Sequence, residues 1–331
     1  MSDAPVARRR LWSEMVPYDQ VGDRSLLADL AARRVDVLVA VTPDVAFRAA
    51  WLVDRCRAAG VGIGLWPMVE DRYGRWPSAA NADRFAGFVG ELMAALRAAG
   101  ALPDEIAIDL EPPIERVRAA LAGRPGALLQ PPNPAGVRAL AELVGELRRE
   151  PVRVSAAVTP LVVLPSALAS AGWQAMLGTP VDRLGFDSIN AMAYTSLFEG
   201  YSRGLLRRAD ALAMLRVIAA TCARRWGSRA AISLGVVGPG ALGDERAYRT
   251  PREVAEEVGL VEAAGVRELV LFALDGILAR PPREAWLDAL CERGGHDGQS
   301  GATARARVAL AAGSAVGVVA AGVGRLRLRW S

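Results

Sequence analysis

The chain has 331 residues, of which 52% are hydrophobic and 23% charged, and its net charge is +4. This length and apolar content suit one large domain or two ordinary ones, and they exclude disorder, collagen-like repeats and a disulfide scaffold. All 40 basic residues are arginine and the one histidine is His296, which excludes Schiff-base lysine chemistry and argues against serine–histidine–aspartate triads and multi-histidine metal sites.

Positive charge is concentrated at the C-terminus. Residues 301–331 contain five arginines and no acid, which leaves 35 arginines against 36 acids, a net charge of −1, in residues 1–300. Such a body lacks the basic stripe that nucleic acids require, so no nucleic-acid partner is expected. The three cysteines lie far apart, and residues 1–12 have arginines but no apolar region behind them. We therefore expect no signal peptide and a cytoplasmic location.

Eight apolar, β-rich runs recur along the chain, at 11–19, 35–43, 61–69, 105–113, 152–160, 187–195, 230–238 and 268–276. Between them lie longer segments with apolar residues at helical spacing, at 44–59, 79–99, 134–149, 204–225 and 251–264. Gly60, Gly100 and Gly265 are placed to end helices in the left-handed conformation. Strands that alternate with helices predict a parallel sheet with right-handed crossovers.

Eight such units in roughly 290 residues match the size of a (β/α)8, or TIM, barrel. A doubly wound open sheet is the alternative, but it usually carries a glycine-rich turn after its first strand, and no GxGxxG follows the first run here. We therefore predict an α/β fold, a (β/α)8 TIM barrel over 11–293. A basic leader at 1–10 would precede it, and a linker with a Gly/Ala/Arg-rich tail at 294–331 would follow.

The fourth run carries the sharpest chemical signal. The active residues of a TIM barrel lie at the C-terminal ends of its strands, and alternation places Asp109 and Glu111 on one face of the run EIAIDLEP. Two carboxyl groups side by side in a partly apolar pocket repel each other, so one should hold its proton near neutral pH, as a general acid must. The alternative interpretation is a helix N-cap with a salt bridge.

The other strand ends supply candidates for binding a substrate, namely Tyr18, Trp66, Tyr73, Asn190, Phe272 and Asp275. Aromatic faces stack on sugar rings, and Trp66 and Tyr73 lie in or just after the third run. These residues predict a carbohydrate-binding mouth.

A family resemblance follows from the same residues. The run DEIAIDLE at 104–111 resembles the signature D-x-x-D-x-D-x-E of the chitinase-like glycoside hydrolases of family 18, and MAY at 192–194 and LVLFALDG at 269–276 are similar to two further strands of that family. The resemblance implies a glycosidase without cofactor or metal, in which Glu111 protonates the glycosidic oxygen. Asp109 would orient a substrate 2-acetamido group that attacks the anomeric carbon, and Tyr194 would hydrogen-bond that group.

Three positions depart from the family pattern: Ala107 replaces an aspartate, Thr195 an acid and Phe272 a tryptophan. Because the signature is incomplete, a sugar-binding barrel without hydrolysis remains an alternative. A magnesium-dependent lyase or isomerase with Asp109, Glu111 and Asp275 as oxygen ligands is a second one. A carbohydrate or small glycoside is the expected partner of both the glycosidase and the sugar-binding barrel.

The tail raises a separate question. Residues 308–324 form 17 uncharged positions bracketed by arginines. A spanning helix needs about 20 apolar residues, and glycine and alanine insert weakly, so the tail is marginal as an anchor. Gly313 and Gly317 resemble a small-xxx-small association face. The sequence leaves membrane contact through the tail open and indicates no oligomeric state.

Overall fold

The structure, a computed structural model of the chain, describes residues 7–240, 242–243, 246–292 and 303–329, with side chains as far as residue 322. Its strands form a closed parallel barrel in sequential order. They are β1 Arg8–Ser13, β2 Val35–Val41, β3 Ile63–Pro67, β4 Glu105–Leu110, β5 Arg153–Val158, β6 Ser188–Met192, β7 Ala230–Gly235 and β8 Glu268–Phe272. The predicted (β/α)8 barrel is confirmed.

The described residues form the α-helices α1 Tyr18–Val21, α2 Arg24–Arg33, α3 Ala49–Ala58, α4 Ala82–Ala98, α5 Ile114–Leu121, α6 Pro134–Leu147, α7 Ala167–Leu177, α8 Thr195–Tyr201, α9 Arg208–Trp226, α10 Pro251–Ala263, α11 Leu274–Ala279, α12 Arg283–Cys291 and α13 Ala304–Arg329. The five segments with helical spacing correspond to α3, α4, α6, α9 and α10. Gly60, Gly100 and Gly265 have φ of 72°, 68° and 93°, the left-handed conformation that stops a helix.

The chain divides into two compact units. The first consists of the described residues of Met1–Val39, Arg55–Ile63 and Asn190–Leu310; in it β1 pairs with β2 and β8, and β7 with β8. The second consists of the described residues of Ala40–Asp54, Gly64–Ile189 and Ala311–Ser331, and in it β4 pairs with β3 and β5.

The first strand begins earlier than expected. β1 starts at Arg8, so Arg8, Arg9 and Arg10 belong to the barrel and not to a basic leader at 1–10; residues 1–6 lie outside the described part. Arg10 is fully buried and pairs with Glu268 of β8. Arg9 points to the other face, where it donates to the carbonyl of Leu290 at 2.8 Å and pairs with Glu262. Ion pairing makes burial of these charges tolerable.

The expected tail is helical. Among the described residues, Ala304–Gly322 in α13 is the one stretch of helix long and apolar enough to cross a membrane by length and composition, and 11% of it is buried. The expected linker before it falls outside the described residues between 293 and 302.

Candidate functional site

The end of β4 carries the two predicted acids. Asp109 is buried within the strand, at 4% exposure, and Glu111 follows the strand as a half-buried residue. On the same strand face, Glu105 is fully buried and accepts a hydrogen bond from Ser155 of β5. Because side chains alternate along a strand, β4 has one acidic face and one face made of isoleucine and leucine. This end of β4 therefore holds a half-buried glutamate two residues from a buried aspartate.

An ion cluster ties the loop after β3 to the helix after β4. The Asp71 carboxylate accepts hydrogen bonds from Arg75 Nε at 2.8 Å and from Arg118 Nη1, on α5, at 3.1 Å. Partial burial raises the pKa of Asp71, but the two arginines outweigh that effect and the pKa is lowered. The loop after β3 and α5 are thus held together by the Asp71 carboxylate.

The predicted aromatic residues differ in how much surface they offer. Trp66 and Tyr18 are only 3% and 6% exposed, so neither ring has a face on which a sugar could stack without rearrangement. Tyr73 is 37% exposed, but the guanidinium groups of Arg72 and Arg84 lie 4.7 and 4.4 Å from its ring centroid. Cations over an aromatic face are favourable, so a sugar would have to compete with them for Tyr73.

Tyr194 and Phe272 form an aromatic pair at the ends of β6 and β8. β6 ends at Met192, so Tyr194 is the N-cap residue of α8 and not part of the strand. Its ring centroid lies 5.6 Å from that of Phe272, and both side chains are half-buried. A Cβ at Gly235, the last residue of β7, would lie 2.8 Å from the Tyr194 ring. Only glycine at that position leaves room for Tyr194.

Asn190 belongs to a buried polar cluster. Its Nδ2 donates to Ser233 Oγ at 2.7 Å, and Trp12 Nε1 donates to the same oxygen at 2.8 Å. The Asn190 Oδ1 atom is buried and has no hydrogen-bond partner among the described residues. Neither Trp12 nor Ser233 was predicted; a serine inside the apolar run AAISLG was the signal available for Ser233.

Asp275 has a structural role in this geometry. It lies in the first turn of α11, and its carboxylate accepts hydrogen bonds from the backbone N–H groups of Glu14 and Met15 at 3.1 and 2.7 Å. It thereby fixes the loop after β1. Within the described part of the chain, no three His, Cys, Asp or Glu side chains are grouped so that they could hold a metal ion.

A buried ionic network includes Thr195, the residue after Tyr194, and was not predicted. Glu257 of α10 is fully buried and accepts hydrogen bonds from Thr195 Oγ1, Arg208 Nη1 and, at 2.6 Å, the Tyr248 hydroxyl. That hydroxyl in turn accepts from the Gly235 N–H at 2.9 Å. The network thus connects α10 to the glycine that accommodates Tyr194.

Burial governs the electrostatics of this network. It raises the pKa of Glu257 to about 7, although Arg208, Thr195 and Tyr248 act in the opposite direction. Burial and the nearby Glu257 also raise the pKa of Tyr248. The available sequence signal was the position of Glu257 on the apolar stripe of α10, between Val254 and Val258.

Comparison with known proteins shows similarity in fold. No protein-family model and no curated protein matches the chain. The PgaB (BpsB) glycoside hydrolase domain from Bordetella bronchiseptica is 15% identical with a TM-score of 0.52, and the match covers 86% of this chain and 99% of that one. A class V chitinase from Nicotiana tobaccum, in complex with NAG4, is 11% identical with a TM-score of 0.51 over 87% and 100% of the two chains.

A family 18 chitinase from Cycas revoluta, in complex with (GlcNAc)4, is 13% identical with a TM-score of 0.50 over 86% and 98% of the two chains. At these identities the similarity concerns the fold. The chain has the TIM-barrel fold that these glycoside hydrolases share, which is the fold that the resemblance implied.

Proposed function

We propose that this chain is a glycoside hydrolase whose general acid is Glu111. The observation that carries the proposal is the half-buried residue Glu111 at the end of β4, two residues from the buried Asp109. Solved proteins of the same fold include a glycoside hydrolase domain and chitinases in complex with N-acetylglucosamine oligomers, which supports a carbohydrate substrate.

The chemistry follows the division of roles that the resemblance implies. Glu111 transfers its proton to the glycosidic oxygen as the bond to the anomeric carbon breaks, and the carbonyl oxygen of the substrate's 2-acetamido group attacks that carbon. Asp109 orients the acetamido group and Tyr194 hydrogen-bonds it. The Glu111 carboxylate then takes a proton from the water that opens the cyclic intermediate. Because the substrate supplies the nucleophile, no second carboxylate at nucleophile distance is needed.

Hydrolysis of aryl glycosides, including N-acetylglucosaminides, tests the proposal. We expect Glu111→Gln to lower kcat/KM by about 100- to 10,000-fold, the usual contribution of a general acid. The loss should be larger for poor leaving groups, because they depend more on protonation. Glu115→Gln is the matched control: its side chain is 68% exposed on α5 and pairs with Arg118, so activity should stay unchanged. Activity retained by Glu111→Gln would refute the assignment.

Sugar binding without hydrolysis is the second candidate function, favoured by the departures at Ala107 and Phe272. Calorimetric titration with N-acetylglucosamine oligomers that shows saturable binding, with no turnover of any glycoside, would select it. The magnesium-dependent alternative required Asp275 as a ligand, and this carboxylate instead accepts two backbone N–H groups. Loss of activity on adding a chelator would select that alternative.

A further inference from the structure

The C-terminal helix is apolar but exposed. In α13 the side chains of Val308, Val316, Val318 and Val319 are 68%, 49%, 41% and 66% exposed, and residues 308–324 include no charge. A helix that is apolar on all sides is normally buried in a core or a membrane. Exposed contiguous apolar surface of this kind marks an interaction site.

One face of α13 is already occupied by the chain itself. Trp173 Nε1 of α7 donates to the carbonyl of Gly313 at 2.8 Å. A Cβ at Gly172 would lie 1.8 Å from the carbonyl oxygen of Gly317, and a Cβ at Gly317 would lie 2.4 Å from that of Ala169. The small-residue face that resembled an association motif therefore packs against α7, and only the remaining faces of α13 are available to a partner.

α7 extends the same uncharged surface. Residues 160–181 contain no charged side chain. Leu168 is 38% exposed, and Ala171 and Ala175 are exposed on the same side of α7. This line of residues borders the α13 contact. On α13, residues 308–322 are alanine, valine and glycine apart from Leu310 and Ser314. We call the exposed apolar residues of the two helices the α7/α13 face.

The arginines near the α7/α13 face indicate which kind of partner it fits. Residues 301–331 carry five arginines and no acid, with arginines on both sides of the uncharged stretch. Arg307 is exposed, and the Arg305 side chain is 54% exposed with Asp210 4.0 Å away. Apolar helices flanked by arginine bind the boundary of bilayers that contain anionic lipids. A second copy fits poorly, because parallel or antiparallel pairing of two α13 helices would oppose arginine to arginine.

We propose that the α7/α13 face docks on the surface of an anionic membrane, with its valines and leucine reaching the acyl boundary, while Arg305 and Arg307 at the start of α13 contact lipid headgroups. The helix lies at the interface and does not cross the bilayer. Its uncharged stretch is about 26 Å long at 1.5 Å per residue, shorter than a hydrocarbon core of about 30 Å. Crossing would also require α13 to leave its glycine contact with α7. The residues of this surface are not those of the proposed hydrolase site.

Vesicle sedimentation with the purified full chain tests the proposal. We expect binding to vesicles of phosphatidylglycerol and phosphatidylcholine in equal parts, and binding weaker by about tenfold or more to phosphatidylcholine alone. The variant Val316→Asp/Val319→Asp places charges on the face without touching the α7 contact, and its affinity should fall by about tenfold or more. Leu205→Asp is the control, since Leu205 is 75% exposed elsewhere, and it should bind like the wild type.

Three results would overturn the proposal. The first is equal binding to both vesicle types, or none to either. The second is resistance of the bound protein to alkaline carbonate extraction, which indicates a spanning helix. The third is a dimer in light scattering that Val316→Asp/Val319→Asp dissociates, which assigns the face to a second copy. Unchanged circular dichroism of the variant excludes misfolding as the cause of lost binding.

Discussion

The buried carboxyl group of Glu257 should make the stability of this protein fall as the pH rises. Its pKa is raised from 4.5 to about 7 in the folded chain. Between these two values the folded state holds a proton that the unfolded state has lost, so the free energy of unfolding decreases with pH. The stabilising contribution is complete below 4.5 and is lost as the pH passes through about 7. Each pH unit in this window corresponds to about 1.4 kcal/mol, so the total change is about 3 kcal/mol.

Glu257→Gln isolates this contribution, because the amide has the size of the protonated carboxyl group and does not titrate. Urea unfolding of the wild type and the variant, measured from about pH 4 to about pH 8, gives the difference in their free energies of unfolding. We expect that difference to shift by about 3 kcal/mol in favour of the variant as the pH rises. A difference that is constant with pH would refute the reasoning. A shift in favour of the wild type would mean that the attraction of Arg208 outweighs the effect of burial and keeps the Glu257 carboxylate ionised.

Four further substitutions test particular positions. Gly172→Ala should lower the free energy of unfolding in urea by about 1–3 kcal/mol because its methyl group meets the backbone of α13; Gly87→Ala in α4, which has open space around it, should instead raise it by about 0.5–1 kcal/mol. Asp275→Ala should cost about 1–3 kcal/mol, since two backbone N–H groups lose their acceptor, and an unchanged melting temperature would contradict this role. Tyr194→Phe should lower kcat/KM on acetamido sugars by about tenfold; an unchanged kcat/KM would contradict a role of the Tyr194 hydroxyl in binding the acetamido group.

Much of the barrel could be predicted because each strand of a closed parallel sheet is buried on both faces and reads as an apolar run. Gly60, Gly100 and Gly265 also made the C-terminal ends of three helices predictable. The start of β1 could not be predicted in this way. Three successive arginines look like a solvated leader in the sequence. The partners that place Arg9 and Arg10 in the barrel, Glu262 and Glu268, lie more than 250 positions further along the chain.

The candidate site was predictable in part for a similar reason. Asp109 and Glu111 stand out because their spacing places them on one face of a strand, a local property. The network around Glu257 depends on residues from four separate segments, and only the position of Glu257 on the apolar stripe of α10 hinted at it. Asp275 was predicted to bind substrate or metal because it follows a strand end. The two backbone N–H groups that it binds instead have no signature in the sequence, so this role could not be predicted.

The contacts between β1 and β8 also constrain how the protein is made. Arg10 and Glu268 are 258 positions apart, and Arg9 and Leu290 are 281 apart. While the chain emerges from the ribosome, β1 is complete long before the acidic partners of its arginines have been synthesised. The edge of β1 that pairs with β8 therefore stays unpaired until β8 has been synthesised. Contacts between residues so far apart in sequence slow folding. Growing chains that stop short of β8 should bind chaperones and resist folding, whereas chains that include α12 should close the barrel.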